Sequence, residues 1–318
     1  MALQARIVVF LAGLVALYGC AGTINQDDAL AVVPYRVEGN GRIIVQARVN
    51  EQGPYDFALD TGSTISVVFD EMRKKLDLEP RPDNWTTIQG IVTSGQFQLL
   101  TVRLLQIGPE VWTDARVAIL PGDTPAAKGI DGVLGIDFLR RYAVGFSAAD
   151  RVVRLYPPDL VRDRAYRGWA SVPLSPLRIG SGDATLYFFA LRIGGKDVLA
   201  LLDLGSGLNL INWHAARSLG FDPVRIRTDE QLSGAVDTAL IVARFTAETV
   251  RTAGVRWRNE EFAIADTEIF NLLAQGDRPL AILGAGFLGQ RDFIIDFVRN
   301  RLLIYLDKGE VDNVSHYP

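Results

Sequence analysis

The stretch that decides the fold is Phe57-Ala58-Leu59-Asp60-Thr61-Gly62-Ser63-Thr64-Ile65-Ser66-Val67-Val68. An apolar run ends at Asp60, a short turn containing Gly62 follows, and a second apolar run leaves the turn. An acid between two apolar runs of this kind is held by the fold rather than free in solvent. The pattern returns in Leu199-Ala200-Leu201-Leu202-Asp203-Leu204-Gly205-Ser206-Gly207-Leu208-Asn209-Leu210-Ile211, where Asp203 takes the place of Asp60.

Both copies resemble the active-site loop of the aspartic proteases, the retropepsin and pepsin-like group, in which an Asp-Thr/Ser-Gly sequence occurs twice. The first copy reads Asp60-Thr61-Gly62-Ser63 and the second reads Asp203-Leu204-Gly205-Ser206. The resemblance implies that two lobes each contribute one loop and that Asp60 and Asp203 form a pair. Because one copy alone is a short pattern, the interpretation depends on a repeat in the rest of the chain.

The rest of the chain does repeat in the same order. Its two halves share these matched segments: Val33-Pro34 with Val172-Pro173, 108–112 with 254–257, Val133-Leu134-Gly135 with Ile282-Leu283-Gly284, and 150–156 with 300–305. A period above one hundred residues is typical of two similar lobes rather than of a solenoid of short units. We therefore predict a mostly β, two-lobed, retropepsin-like fold with an internal pseudo-twofold duplication.

The duplication also sets the predicted boundaries along the chain. They are a signal peptide at 1–19, a tether at 20–32, an N-terminal lobe at 33–157, a linker at 158–170, a C-terminal lobe at 171–310 and a tail at 311–318. The linker follows from Pro157-Pro158 and a charged run that lacks periodic apolar positions.

Several local elements follow from turn and capping signals. A strand over 42–49, a turn at Gln52-Gly53-Pro54 and a strand over 55–59 lead to the first acid. Asp70 is predicted to cap a short helix that runs to Leu76, and Asn212 to Leu219 forms the matching helix. Residues 87–95 read as a hairpin that could cover the site. The flap candidates are Gln89, Gly90 and Ile91 and, in the second lobe, Ser233, Gly234 and Ala235.

The N-terminus carries an export signal. One positive charge precedes an apolar run from Ile7 to Leu17, which is too short to span a bilayer as a helix. Leu17-Tyr18-Gly19-Cys20 resembles the bacterial lipobox, in which the Cys thiol carries a diacylglycerol. The resemblance implies a lipoprotein on the periplasmic side of the cell envelope, anchored through Cys20 in the outer membrane. An ordinary secretory signal with an incidental Cys is the alternative.

Composition and motifs argue against several other classes of protein. The 318 residues are 48% apolar, carry a net charge of −4 and show no basic run, so nucleic acid is not an expected partner. With only one cysteine, neither an intrachain disulfide nor a thiolate metal site can form. Gly284-Ala285-Gly286-Phe287-Leu288-Gly289 fits a dinucleotide pattern, but too few residues follow it to complete a Rossmann sheet. We expect no metal and no cofactor.

Two paired carboxylates can hydrolyse a peptide bond by activating water. When they share one proton, one acid accepts a proton from water and the other donates a proton to the carbonyl oxygen. The neighbours predicted to support the pair are Thr61, Gly62, Ser63, Leu204, Gly205 and Ser206, where the glycines allow close approach and the serine hydroxyls bond the carboxylates. Leu134-Gly135 and Leu283-Gly284 are expected to brace the two loops. The implied activity is that of an aspartic endopeptidase acting as a monomer on a peptide or protein.

Leu204 departs from the pattern of the family. Resemblance implies a Thr or Ser hydroxyl at this position that reaches the opposite loop, and Leu has none. Half of the reciprocal cross-link is therefore absent, which favours an alternative function as a non-catalytic, peptide-binding envelope lipoprotein. A purely structural envelope protein is a third hypothesis.

Overall fold

The computed structural model describes residues 28–39, 41–80, 84–89, 94–158, 168–179, 184–222, 231–233, 238–265, 268–273 and 278–306. Strands dominate in these ranges, helices are short, and the chain forms two β lobes, so the predicted mostly β, duplicated, two-lobed fold is confirmed. None of the helices in these ranges is long and apolar enough to span a bilayer.

The first lobe is built from strands rich in β-branched and apolar residues, which suit a half-buried pleated surface. Its strands are β1 (Ala31–Val37), β2 (Ile43–Val49), β3 (Gln52–Leu59), β4 (Val67–Phe69), β5 (Trp85–Gln89), β6 (Ser94–Ile107), β7 (Glu110–Leu120), β8 (Gly132–Leu134), β9 (Ala143–Ser147) and β10 (Val152–Tyr156). Its helices are α1 (Asp70–Lys75) and α2 (Ile136–Leu139), and Pro125–Ala127 forms a 3-10 turn.

The second lobe repeats this order. Its strands are β11 (Trp169–Pro173), β12 (Ser175–Arg178), β13 (Thr185–Ile193), β14 (Lys196–Leu202), β15 (Leu210–Ile211), β16 (Gln231–Ser233), β17 (Thr238–Thr252), β18 (Val255–Ala265), β19 (Leu280–Leu283), β20 (Phe293–Asp296) and β21 (Arg301–Tyr305). Its helices are α3 (Trp213–Ser218), α4 (Glu268–Leu273) and α5 (Ala285–Leu288).

A continuous sheet joins the two lobes. Its strands run in the order β1, β10, β9, β20, β21 and β11, so each lobe contributes three of them. The central pair, β9 and β20, is antiparallel, with Phe146 opposite Phe293 and Ala143 opposite Asp296. The rings of Phe146 and Phe293 stack with their centroids 4.4 Å apart. One buried apolar cluster includes residues of both lobes, so the lobes share a core.

The same strand arrangement places each acid at the end of a central strand. In the first lobe, β3 runs parallel to β8, and β8 pairs antiparallel with β4 on its other edge. In the second lobe, β14 runs parallel to β19, and β19 pairs antiparallel with β15. The chain therefore leaves β3 or β14, turns through the acid loop and returns on the far side of β8 or β19.

Two local predictions were wrong. The predicted turn at Gln52-Gly53-Pro54 lies within β3, and the chain reverses instead at Asn50 and Glu51, whose φ angles are 48° and 70°. Asn tolerates this left-handed backbone better than most residues. Asp70 is the first residue of α1 and does not cap it; its carboxylate pairs instead with Arg73 at 2.7 Å and with Lys74.

The matching helix in the second lobe is capped as its sequence suggests. The Asn212 side chain accepts a hydrogen bond of 2.9 Å from the amide of Ala215, and α3 follows directly.

Candidate active site

The two acid loops meet between the lobes. Asp60 follows the last residue of β3, Asp203 follows the last residue of β14, and their half-buried side chains are hydrogen-bonded to each other. The amide of Asp60 donates to the carbonyl oxygen of Leu134, and the amide of Asp203 donates to that of Leu283, both at 3.0 Å. Each loop is thus fixed by the parallel strand beside it.

Glycine at two positions makes this approach possible. A Cβ atom added to Gly62 would lie 2.6 Å from Cγ of Asp203, and one added to Gly205 would lie 2.2 Å from Cγ of Asp60. Real Cβ atoms do not come this close to other heavy atoms. Each glycine therefore makes room for the acid of the opposite lobe.

Backbone amides, not serine hydroxyls, bond the carboxylates. The Oδ1 atom of Asp60 accepts from the amides of Gly62 at 2.7 Å and Ser63 at 3.0 Å. The Oδ1 atom of Asp203 accepts from the amides of Gly205 and Ser206 at 3.0 and 3.1 Å.

The prediction that the serine hydroxyls bond the acids was wrong. The hydroxyls of Ser63 and Ser206 donate at 2.7 Å to the carbonyl oxygens of Ile65 and Leu208. Each hydroxyl therefore closes its own loop, because it lies beside a carbonyl two residues further along the chain, and the amides are left to hold the acid.

Gly135 and Gly284 lie directly behind the loops. A Cβ on Gly135 would be 2.8 Å from the carbonyl oxygen of Ser63, and one on Gly284 would be 2.5 Å from that of Ser206. The amide of Gly135 donates to the Ser66 hydroxyl at 3.0 Å, while the amide of Gly284 donates to the Asn209 side chain at 3.1 Å.

Asp137 supports the first loop in a way that sequence reasoning missed. Its half-buried carboxylate accepts from both the amide and the hydroxyl of Ser66, at 2.9 and 2.7 Å. Burial raises the pKa of Asp137, and these hydrogen bonds act against that rise. The available signal was an acid within an apolar segment whose matched segment carries Gly286 at the same place.

Thr61 provides the hydrogen bonds that cross between the loops. Its hydroxyl donates to the carbonyl oxygen of Leu202 at 2.8 Å and accepts from the amide of Leu204 at 3.0 Å. Leu204 is fully buried and packs in the shared core. The reciprocal hydroxyl is absent, so a hydrophobic contact replaces half of the cross-link.

Burial makes the pair hard to ionise. It raises the pKa of Asp60, although the loop amides and the cation of Arg42 act in the opposite direction. The pKa of Asp203 is raised well above its usual range, first by burial and then by the negative charge of Asp60. Two acids in this arrangement titrate as one unit that keeps a proton to higher pH than a solvated acid.

Two of the six flap candidates, Gln89 and Ser233, lie in described strands. Gln89 ends β5 and pairs with Ser94, and Ser233 ends β16 and pairs with Thr238. Gly90, Ile91, Gly234 and Ala235 fall outside the described residues, and so does Cys20. Within the described ranges no group of three or more His, Cys, Asp or Glu residues is placed to hold a metal ion.

Comparison with known proteins gives a family match. A family model described as aspartyl protease matches residues 45–138 and 189–287, more than half of the chain, and each matched segment contains one of the two acids. Basic 7S globulin from soybean, a solved structure, aligns with a TM-score of 0.48 and 12% identity over 86% of this chain and 94% of that one. No curated protein matches the sequence. On the family match, the chain belongs to the aspartyl protease family.

Proposed function

We propose that the protein is an aspartic endopeptidase that hydrolyses peptide bonds with Asp60 and Asp203. The observation that carries the proposal is the hydrogen-bonded pair of carboxyl groups, one from each duplicated loop. Each acid is held by two backbone amides, so both groups are oriented before a substrate binds. One chain supplies both acids, and a monomer is therefore sufficient for catalysis.

In the proposed reaction the pair holds one proton and one negative charge. The ionised carboxylate accepts a proton from a water molecule as the water oxygen attacks the peptide carbonyl carbon. The protonated carboxyl donates its proton to the carbonyl oxygen, which gives a tetrahedral diol. The C–N bond then breaks as the first acid returns its proton to the amine nitrogen and the second acid takes back a proton from a diol hydroxyl. The products are an amine and a carboxylic acid, and the pair again holds one proton and one negative charge.

The test is peptide cleavage by the full-length protein over acidic to neutral pH, with products identified by mass spectrometry. We expect the parent to cleave peptides and Asp60→Asn and Asp203→Asn each to lose turnover while they stay folded. Asp123→Asn is the matched control, because Asp123 is exposed. A folded parent that cleaves nothing, or an Asp60→Asn variant that cleaves as well as the parent, would contradict the proposal.

Leu204 supports a second candidate function, peptide binding without hydrolysis. The missing hydroxyl leaves the hydrogen bonds of Thr61 without their reciprocal counterpart from the second loop. A binding protein would hold peptides with similar affinity before and after Asp60→Asn and would release them intact. Equilibrium binding of a fluorescent peptide library, followed by mass analysis of the released peptides, separates the two functions.

We also propose that the protein is exported and attached by lipid on Cys20 to the periplasmic side of the outer membrane. The support is the apolar run from Ile7 to Leu17, followed by Gly19-Cys20. Labelling with a radioactive fatty acid should mark the parent and leave Cys20→Ala unlabelled. Equal labelling of both proteins would contradict the lipid anchor.

A further inference from the structure

A partly buried ion pair lies beside the first acid loop. Arg42 donates from Nη2 at 2.6 Å and from Nε at 3.2 Å to the Oε2 atom of Glu38. The two residues are neighbours across β1 and β2, because Val37 pairs with Ile43 and the amide of Glu38 donates to the carbonyl oxygen of Arg42. Arg42 is only 8% exposed, so water screens its charge weakly.

The strand register places Arg42 across from Asp60. In the antiparallel pair of β2 and β3, Ile44 lies opposite Ala58. Continuing this register by two residues brings Arg42 opposite Asp60 on the same face of the sheet. The cation of Arg42 lowers the pKa of Asp60, although burial of the carboxyl is the larger effect and raises it.

The second lobe provides an internal comparison. In β13 and β14, Phe188 lies opposite Leu201, so the same continuation brings Leu186 opposite Asp203. Leu186 pairs with Leu177 of β12, which takes the place of Glu38. Two leucines in the second lobe therefore occupy the positions that an arginine and a glutamate occupy in the first. The charged environment of the dyad is asymmetric although its backbone is duplicated.

We propose that Arg42 is a positioning residue that makes the two acids inequivalent: its guanidinium keeps the negative charge of the pair on Asp60 and leaves the shared proton on Asp203. If the proposed peptidase function is right, Asp60 accepts the proton of the attacking water and Asp203 donates to the peptide carbonyl oxygen. The different roles of the two acids then follow from the arginine and glutamate of the first lobe, which are leucines in the second.

Glu38 divides its carboxylate between two arginines, and Arg42 is one of them. The carboxylate of Glu38 also pairs with Arg36 at 3.4 Å, and Arg36 in turn pairs with Asp56 at 2.9 Å. Among the described residues, the ionisable side chains that act on Asp60 are Asp203 from the opposite loop and Arg42, which directly precedes β2, with Glu38 beyond Arg42. Around Asp203 the corresponding strands present leucine. The first lobe is therefore the side of the pair on which an anion is better stabilised.

Arg42 also has a structural role, which any test has to separate from its charge. Its Nη1 atom donates to the carbonyl oxygen of Ala126 at 2.7 Å, and its Nη2 atom donates to that of Lys128 at 2.9 Å. These hydrogen bonds connect the segment after β7 to the β1–β2 hairpin. Loss of this connection would lower stability or activity at every pH. Only the loss of charge would move the pH at which the acids titrate.

The experiment titrates the acids in the full-length protein by NMR of ¹³C-labelled aspartate carboxyl groups and, in parallel, records kcat/KM against pH. The double variant Glu38→Leu/Arg42→Leu copies the leucine pair of the second lobe. We expect the lower of the two apparent pKa values of the dyad to rise. The acid limb of the kcat/KM profile should move to higher pH with it. Arg42→Lys keeps the positive charge, so its dyad should show the same apparent pKa values as the parent even if stability falls.

Glu38→Gln gives a prediction of opposite sign. It removes the anion beside Arg42 and keeps the cation, so the lower apparent pKa of the dyad should fall. A folded double variant with the parent titration would overturn the inference. If the double variant does not fold, Glu38→Gln decides alone, since a shift to lower pH supports the inference and an unchanged titration overturns it. Peptide cleavage by the parent tests the peptidase function separately, because the NMR titration needs no turnover.

Discussion

The hydroxyl of Thr61 lies 2.8 Å from the carbonyl oxygen of Leu202 and 3.0 Å from the amide nitrogen of Leu204, so one side chain of the first lobe bonds the second acid loop on both sides of Asp203. Thr61 and Leu204 are both fully buried. A buried amide that loses its acceptor keeps the full cost of its desolvation. The alignment of the two loops therefore depends on this hydroxyl.

Thr61→Val should lower the free energy of unfolding by about 1–3 kcal/mol, because it leaves the Leu204 amide and the Leu202 carbonyl without this partner. Chemical denaturation monitored by circular dichroism measures the change. Thr61→Ser keeps the hydroxyl and is the matched control. If valine and serine variants were equally stable, the cross-link would not contribute to stability.

Gly205→Ala should separate the two acids. The new Cβ atom would lie 2.2 Å from Cγ of Asp60, so the loops have to move apart. We expect overpacking to cost about 1–3 kcal/mol of stability and a displaced acid to lower kcat/KM about 100-fold.

Gly286→Ala is the matched control for that change, since a Cβ on Gly286 meets nothing within 4 Å. Peptide cleavage and thermal unfolding of both variants are compared with the parent. Equal losses in the two variants would mean that close approach of the loops is not the reason for glycine at position 205.

Asp203→Asn should stabilise the protein at neutral pH while it abolishes turnover. The pKa of Asp203 is raised in the folded state, mainly by burial, so the folded protein keeps a proton that the unfolded chain releases. The stabilising contribution of this proton is complete below the ordinary pKa of an Asp carboxyl. It is lost as the pH rises through the raised value, and stability falls with pH in that window. The amide cannot ionise and avoids this loss.

Thermal unfolding of Asp203→Asn and of the parent at acidic and neutral pH measures the effect. The advantage of the variant should be larger at neutral than at acidic pH. Asp123→Asn, at an exposed acid, should follow the parent at both. A variant less stable than the parent at neutral pH would show that the charged pair is well stabilised in the fold.

The sequence was sufficient to predict the duplication and the facing acid loops, because both depend on patterns that occur twice. Two apolar runs around an acid specify a central strand and its turn. The Gly-containing loops are identified from the order of residues in the two motifs. The match between Val133-Leu134-Gly135 and Ile282-Leu283-Gly284 likewise located both bracing strands.

What the sequence did not reveal are contacts between side chains and distant backbone. Ser63 has a carboxylate and a carbonyl within reach, and only the folded structure shows that its hydroxyl donates to the carbonyl oxygen of Ile65. Arg42 precedes an ordinary β run, and its position across from Asp60 appears only once the register of β2 and β3 is known. Asp70 had an arginine and a lysine one turn away, and these charges attracted its carboxylate more than the helix amides did.

The stacked rings of Phe146 and Phe293 join the two lobes where β9 meets β20. Phe293 is fully buried in the cluster that both lobes share. Phe293→Ala should cost about 3–5 kcal/mol, because it removes buried apolar surface and leaves a cavity at the centre of the joining sheet. Val298→Ala, at a side chain that is 58% exposed, is the control and should change stability by less than about 0.5 kcal/mol. Denaturant unfolding measures both.

Since each lobe carries one acid, the lobes must stay in register for the acids to meet. The Phe293→Ala variant should therefore lose kcat/KM at denaturant concentrations where it is still folded. Full activity up to its unfolding midpoint would mean that the Thr61 cross-link aligns the acids without help from the joining sheet.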